Sequence, residues 1–289
     1  MEVKKAIIPA AGFGTRMLPA TKSIPKEMLP LGDRPAIQHI VEEAVNSGIF
    51  DILIITSRTK VIIEDHFDYS PELENHLHAS GNDELADSLR VVSNMANITF
   101  LRQKEILGLG HAVWCGRNFT GRDPFAVLLG DDVMRSKVPV TKQLINASEK
   151  YDACTVGVQA VAPEMISKYC SLGVTKVEES IYDVNDIIEK PLPEEVMSNY
   201  AILGRYVLSS KIMDILGSLP AGFGGEIQLT DALRNYCHKN RMMAVDFEGR
   251  RYDCGNMPGY MEAVIDFALD CPETATPTLE YIKKIINNK

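Results

Sequence analysis

Short apolar, β-branched runs alternate with helical periodicity through the first half of the chain. Residues 5–8, 52–56, 98–102, 125–129 and 153–159 read as strands, and most of them are apolar without interruption, as strands buried on both faces are. Between the first two, Ala36, Ile37, Ile40, Val41, Ala44 and Val45 recur at spacings of three and four. That spacing predicts an amphipathic helix, with Pro35 suited to its first position and Gly48 to a left-handed stop. Residues 59–92 are helical but polar, broken near Ser70-Pro71 and Gly81, and read as a surface excursion. A helix begins near Gly110, and Pro139 opens another.

After about residue 160 the rhythm changes. Residues 174–177, 182–190 and 201–208 read as strands with fewer helices between them, which predicts a mixed sheet. Helical periodicity returns over 229–238, 260–269 and 278–286, the last opened by Pro277 and presenting Leu279, Ile282 and Ile286 to its own core or to another subunit. No internal repeat or Pro/Gly/Ser-rich linker divides the chain. The expectation is one α/β domain over 1–289, with a front half to about 135, a second half over 136–255 and C-terminal helices over 256–289.

Composition narrows the function classes. With 45% hydrophobic and 24% charged residues the chain is an ordinary globular sequence, and 30 Lys and Arg against 39 Asp and Glu leave a net charge of −9. No broad cationic surface is available for a nucleic-acid backbone, so no nucleic-acid partner is expected. The longest apolar runs are about five residues, whereas a spanning helix needs roughly twenty, so no membrane partner is expected either. Lys4 and Lys5 precede an apolar run, but Pro9, Gly12, Gly14 and Arg16 break it, so the run reads as a retained first strand. Six scattered cysteines without a CxxC pair read as reduced thiols of a cytoplasmic protein.

The chemistry concentrates in one segment. Residues 10–33, AAGFGTRMLPATKSIPKEMLPLGD, separate the first strand from the first helix. Typical connections there run about two to six residues, and longer ones are commonly functional. Gly12 and Gly14 permit close backbone approach to a ligand, and successive N–H groups form a concavity for anions. Arg16, Lys22 and Lys26 add three cations, so residues 1–35 carry six positive and three negative charges in an otherwise acidic chain. A dinucleotide fingerprint is excluded, because GFGTRM lacks a third glycine and Pro19, Pro25 and Pro30 forbid an immediate helix. A Walker loop is absent from the sequence.

AAGFGTR followed by LPATKSIPKEMLP resembles the signature of nucleotidyltransferases that make nucleotide sugars, and specifically the bacterial UTP:glucose-1-phosphate uridylyltransferases, or UDP-glucose pyrophosphorylases. The likeness continues in order through GLGHAV at 108–113, LLGDD at 128–132, IIEKPLPEE at 187–195, SNYAILGRYVL at 198–208, GGEIQLTDAL at 224–233 and RYDCG at 251–255. It implies a Rossmann-like, mixed but mostly parallel sheet covered by helices, of the nucleotide-diphospho-sugar transferase type. The implied partners are UTP, glucose 1-phosphate, UDP-glucose and pyrophosphate, the implied cofactor is Mg²⁺, and the implied assembly is a homodimer or homotetramer.

Residue by residue, the resemblance makes Arg16 and Lys26 the cations facing the triphosphate and Asp131 the Mg²⁺ carboxylate, with Asp253 as a second. It gives base recognition to the backbone of Ala10, Ala11 and Gly12, to Gln103 and to Gly108, with Gly14 in the phosphate turn and Glu27 supporting the nucleoside. A glutamine suits a uracil edge because its amide both donates and accepts. Glu189 and Lys190 would meet glucose hydroxyls and the sugar phosphate, with Gly204 and Glu226 in further matching motifs. The plainer readings are Asp132 as a turn residue, Glu189 and Lys190 as a strand-end ion pair, Glu226 as a helix cap and His111 as a helix-start residue. One departure bears on the sugar: relatives commonly carry Tyr-Gly before two apolar residues, where this chain has Tyr169-Cys170-Ser171-Leu172-Gly173. The alternatives are the same chemistry on dTTP or another hexose 1-phosphate, and a nucleotide-sugar-binding regulator without turnover.

Overall fold

A computed structural model describes residues 1–287. In chain order the strands are β1 Lys5–Pro9, β2 Pro30–Leu31, β3 Arg34–Pro35, β4 Asp51–Thr56, β5 Asn97–Arg102, β6 Phe125–Leu128 and β7 Asp132–Arg135. There follow β8 Cys154–Ala160, β9 Cys170–Lys176, β10 Ile181–Glu189, β11 Tyr200–Leu208, β12 Met242–Asp246 and β13 Arg250–Asp253. Nine of them form one sheet in the order β5-β4-β1-β6-β11-β8-β12-β10-β9. The pairs among β5, β4, β1 and β6 are parallel, as is β8 with β12, whereas β11 runs antiparallel to both of its neighbours. β10 likewise runs antiparallel to β12 and β9, so the sheet is mixed, and mostly parallel in that all its strands but β11 and β10 point one way. β7 and β13 pair antiparallel in a separate ribbon, which sets Asp253 opposite Asp132.

Helices cover both faces and bury two apolar layers. The helix of the 3–4 repeat is α1, Ala36–Asn46, with Pro35 at its N-cap rather than its first turn and Gly48 beyond its end at φ 89°. Its Ile37, Ile40, Val41 and Ala44 are fully covered. Each larger side chain of that row contributes roughly 1.5–3 kcal/mol of burial. The polar excursion is three helices, Val61–Phe67, Pro71–Ala79 and Asp83–Asn94, broken where Ser70-Pro71 and Gly81 stand.

Some expectations need correction. The last helix runs Pro272–Asn287 with Pro277 inside it, and Met257–Asp270 precedes it. Pro272 occupies the first turn, where a missing N–H costs nothing, so the helix starts there and loses only the bond Pro277 cannot make. No residue of that helix is buried, and Leu279 and Ile286 face solvent rather than the chain's own core. Strand β12 and helix Lys211–Ser218 were not anticipated. A four-residue apolar run such as Met242 to Val245 carries too little periodicity to declare its type, and its partners β8 and β10 decide it.

Candidate active site

The site is built at the carboxyl ends of β1, β4, β5 and β6, where open α/β sheets place ligands. The loop after β1 winds through three short 3₁₀ turns, Thr15–Met17, Ala20–Lys22 and Lys26–Met28. Gly14 takes φ +67°, and the Thr21 hydroxyl donates to its carbonyl at 2.8 Å, which closes the loop on itself. Above Gly12 lies open space, with nothing within 4 Å of where a Cβ would stand. Gly12, Thr15, Lys22, Lys26 and Lys60 line a cavity of about 390 Å³ on this loop. Ala10 and Ala11 are buried beneath it, with the Ala10 N–H donating to Ile55.

Lys26 and Asp131, 105 residues apart in sequence, meet here with Nζ 2.5 Å from Oδ2, and the exposed Arg16 guanidinium stands 3.9 Å from the same oxygen. Burial opposes the charge of Lys26, but Asp131 and Glu27 override it and raise the ammonium above its usual range. Burial likewise opposes the Asp131 carboxylate, and Lys26, Arg16 and Arg251 override it and hold the group below the usual carboxylate range. Asp131 is thus kept ionised.

Asp253 lies beside it. The gap left by the missing side chain of Gly255 is bounded by Asp131 Oδ2, by Asp253 Oδ1 at 3.0 Å and by the Arg16 guanidinium at 3.1 Å from where a Cβ would project. Two carboxylates around an open gap fit a hard divalent cation that completes its shell with phosphate oxygens and water. Among the described residues, no group of three or more His, Cys, Asp and Glu side chains is set to hold a metal by itself.

Asp132 is not a turn residue. It is buried at the start of β7, and Arg251 holds it with Nε at 2.8 Å and a terminal nitrogen at 2.6 Å from Oδ1. Burial raises its carboxyl to about 6, with Arg251 opposing and Asp131 and Asp253 adding to the rise. Gly204, at φ +71°, backs this carboxylate so closely that a Cβ would enter it. Arg251 also stands 3.6 Å from Asp253, donates to the Tyr169 hydroxyl at 3.2 Å and lies over the Tyr169 ring. The Tyr169 carbonyl accepts from the Lys190 N–H at 2.8 Å, so one chain of contacts runs from the paired carboxylates to the end of β10. Arg251 was missed in the sequence although RYDCG contains it, because a motif does not say which of its charges turns inward.

Behind the loop, Lys60 is buried and donates to the Ala10 carbonyl at 2.6 Å and to both Glu27 oxygens at 2.9 and 2.8 Å. Burial raises Glu27 and lowers Lys60, each against the pull of the other. Lys60 carries no sequence signal, since a lone cation at the N-cap of helix Val61–Phe67 does not show which way it turns. A second buried pair, Arg205 with Glu43, adds bonds from Arg205 to the carbonyls of Gly204 and Asp132, while Glu43 accepts from the Thr141 N–H and hydroxyl. These bonds fix the start of β7 to α1 and to β11.

Gln103 follows β5 and is buried, with its amide nitrogen 3.2 Å from the Gly108 carbonyl and 2.9 Å from His111 Nδ1. Gly108 takes φ +100° against Glu226 and Ile227, a place only glycine fills without strain. Glu189 is half-buried and accepts from the Thr230 hydroxyl at 2.9 Å; burial raises its carboxyl, opposed by Thr230 and Lys190. Lys190 follows at φ 46° with an exposed side chain. Glu226 is exposed and accepts from Gln228, and it is Gln228 that stands at the N-cap of helix Leu229–Cys237. Lys26 and Arg16 of the loop thus meet Asp131 beside Asp253, while Glu226, from the second half, packs against Gly108.

Comparison with known proteins places this arrangement. The family model described as Nucleotidyl transferase matches residues 5–268. The UTP--glucose-1-phosphate uridylyltransferase YngB of Bacillus subtilis (strain 168) is 51% identical over 288 residues, spanning 100% of this chain and 97% of the relative. A second UTP--glucose-1-phosphate uridylyltransferase of the same organism is 48% identical, over 100% and 99%. Among solved structures, a UDP-glucose pyrophosphorylase complexed with UDP-glucose superposes with a TM-score of 0.85 at 41% identity, covering 93% of this chain and 100% of the other. A UTP-bound enzyme from Acinetobacter baumannii gives 0.90 at 35% identity over the whole of both chains.

Proposed function

The chain belongs to the nucleotidyl transferase family, and from that premise we propose that it transfers a uridylyl group from UTP to glucose 1-phosphate, forming UDP-glucose and releasing pyrophosphate. The observation that carries this reading is the meeting of Lys26, Arg16, Asp131 and Asp253 around one gap beside a glycine-rich loop. Nothing in that constellation is poised to abstract a proton, and the reaction needs none. A phosphate oxygen of the sugar phosphate bonds to the α-phosphorus, and the bond from that phosphorus to the bridging oxygen of the β-phosphate breaks in line with it. The difficulty is to bring two polyanions together and to stabilise the charge that moves onto the leaving group.

Each residue has a physical task. The loop backbone from Ala10 to Gly14 receives the nucleotide, and Gln103 and Gly108 meet the base. Lys26 and Arg16 donate charge-assisted hydrogen bonds to the triphosphate, strongest as negative charge grows there. Asp131 and Asp253 would hold the divalent ion, Mg²⁺ in this reading, which neutralises phosphate charge when bound. Glu189 would accept from sugar hydroxyls while Lys190 meets the sugar phosphate, with Gly204 and Glu226 shaping that side. In this division residues 1–135 of a single α/β unit serve the nucleotide and 136–255 the sugar phosphate, in a cytoplasmic homodimer or homotetramer.

The test is a turnover panel of UTP, dTTP, CTP and ATP against glucose 1-phosphate and other hexose 1-phosphates, with pyrophosphate as the readout. Magnesium-dependent release with UTP and glucose 1-phosphate together, and not with either alone, is expected. Release without the sugar phosphate would replace transfer by hydrolysis, and tight UDP-glucose binding without turnover would make the protein a sensor.

A further inference from the structure

The amide of Gln103 has two hydrogens and one oxygen to offer, and the structure uses the hydrogens before any nucleotide arrives. Nε2 lies 3.2 Å from the Gly108 carbonyl, which can only accept, and 2.9 Å from His111 Nδ1. The first contact fixes which end of the amide faces inward. The second then fixes the imidazole: Nδ1 accepts and the ring proton sits on Nε2. Both hydrogens are thereby occupied, and no donor among the described residues reaches Oε1.

We propose that His111 is a specificity-determining positioning residue, which locks Gln103 so that it presents only a carbonyl oxygen to the base. Such a surface accepts from the N3–H that uracil and thymine carry. Cytosine has a bare lone pair at N3, and facing it with Oε1 sets acceptor against acceptor. The inference rests on the reading of Gln103 as the base-contacting residue and adds why that glutamine, able in principle to read either edge, reads one. His111 is suited to the task by its place in the first turn of helix Leu109–Cys115, whose N-cap is Gly108 itself, so both acceptors are set by one turn of chain. Its ring lies beside Trp114, centroids 6.0 Å apart.

The experiment is direct competition on the full chain. UTP and CTP are supplied together with glucose 1-phosphate and magnesium, and UDP-glucose and CDP-glucose are counted by mass spectrometry, so that the product ratio reads the ratio of kcat/KM values. His111→Phe keeps the ring and its contact with Trp114 but removes the acceptor; His111→Asn restores an acceptor near the position of Nδ1. The Phe variant should lower the UTP:CTP preference about tenfold, the worth of one hydrogen bond of about 1.4 kcal/mol, and the Asn variant should return most of it. Preference for dTTP over CTP should move in step with that for UTP. Should His111→Phe be poorly folded, His111→Leu gives the same comparison. A preference unchanged in the Phe or Leu variant but collapsed in Gln103→Leu would overturn the role of His111 and leave Gln103 in place. A preference unchanged in Gln103→Leu would overturn the base-reading role of Gln103, and the inference with it.

Discussion

Replacing Lys60 by methionine tests whether the nucleotide loop is held from behind. In the wild type the Lys60 ammonium neutralises Glu27, which is 1% exposed, and ties the turn that carries Lys26 to the Ala10 carbonyl. Methionine fills a similar volume but leaves the Glu27 carboxylate buried without its main partner. Breaking a buried pair in this way costs about 3–5 kcal/mol. For a chain of this size each kcal/mol lowers Tm by roughly 2–4 °C, so a fall on the order of 10 °C is expected by calorimetry at pH 8. Burial already raises the Glu27 carboxyl above its usual range, and losing Lys60 raises it further. The native state then binds a proton that the unfolded chain releases at its lower, ordinary pKa, so the variant regains stability as pH falls from 8 towards 5. Adding Glu27→Gln should recover much of the loss, with a coupling energy of about 3 kcal/mol between the two sites. A Tm within a degree or two of the wild type, or single losses that simply add, would refute the clamp.

Four further outcomes follow from the site. Lys26→Ala should lower kcat about 10²–10³-fold while the UDP-glucose Kd changes only a few-fold, because the ammonium acts most where transition-state charge grows; matched losses in both would make it a ground-state contact. Gly204→Ala forces φ +71° on a residue with a Cβ directed into the Asp132 carboxylate, and should destabilise by about 1–3 kcal/mol in urea unfolding. Gly12→Ala, projecting into open space, should leave unfolding unchanged and weaken UTP binding instead. Asp253→Asn should raise the magnesium concentration for half-maximal rate about tenfold if the residue is a metal ligand, and an unchanged titration would assign that duty to Asp131 alone.

What the sequence displays most plainly is whatever repeats or crowds. The helix Ala36–Asn46 announces itself through six regularly placed apolar positions, and the loop at 10–33 through length, glycines and local charge. The strand order is less visible, because it depends on which apolar runs pair, and β11 between β6 and β8 is an insertion from far along the chain. The same reason hides the supports of the site. Lys60, Arg205 and Arg251 are cations like any others in one dimension, and only folding turns them inward against Glu27, Glu43 and Asp132. Asp132 looks like a turn residue beside Asp131 until the ribbon of β7 and β13 buries it.

The ladder shared by β6 and β11, with the Arg205–Glu43 pair across it, has a mechanical consequence. The front and second halves of the chain thus share one continuous sheet, a plank rather than two jaws. A truncation after residue 135 would strip β6 of its neighbour and leave Glu43 facing an empty interior. Such a fragment should precipitate, and mixing it with the remaining piece should restore a soluble molecule only if that seam re-forms.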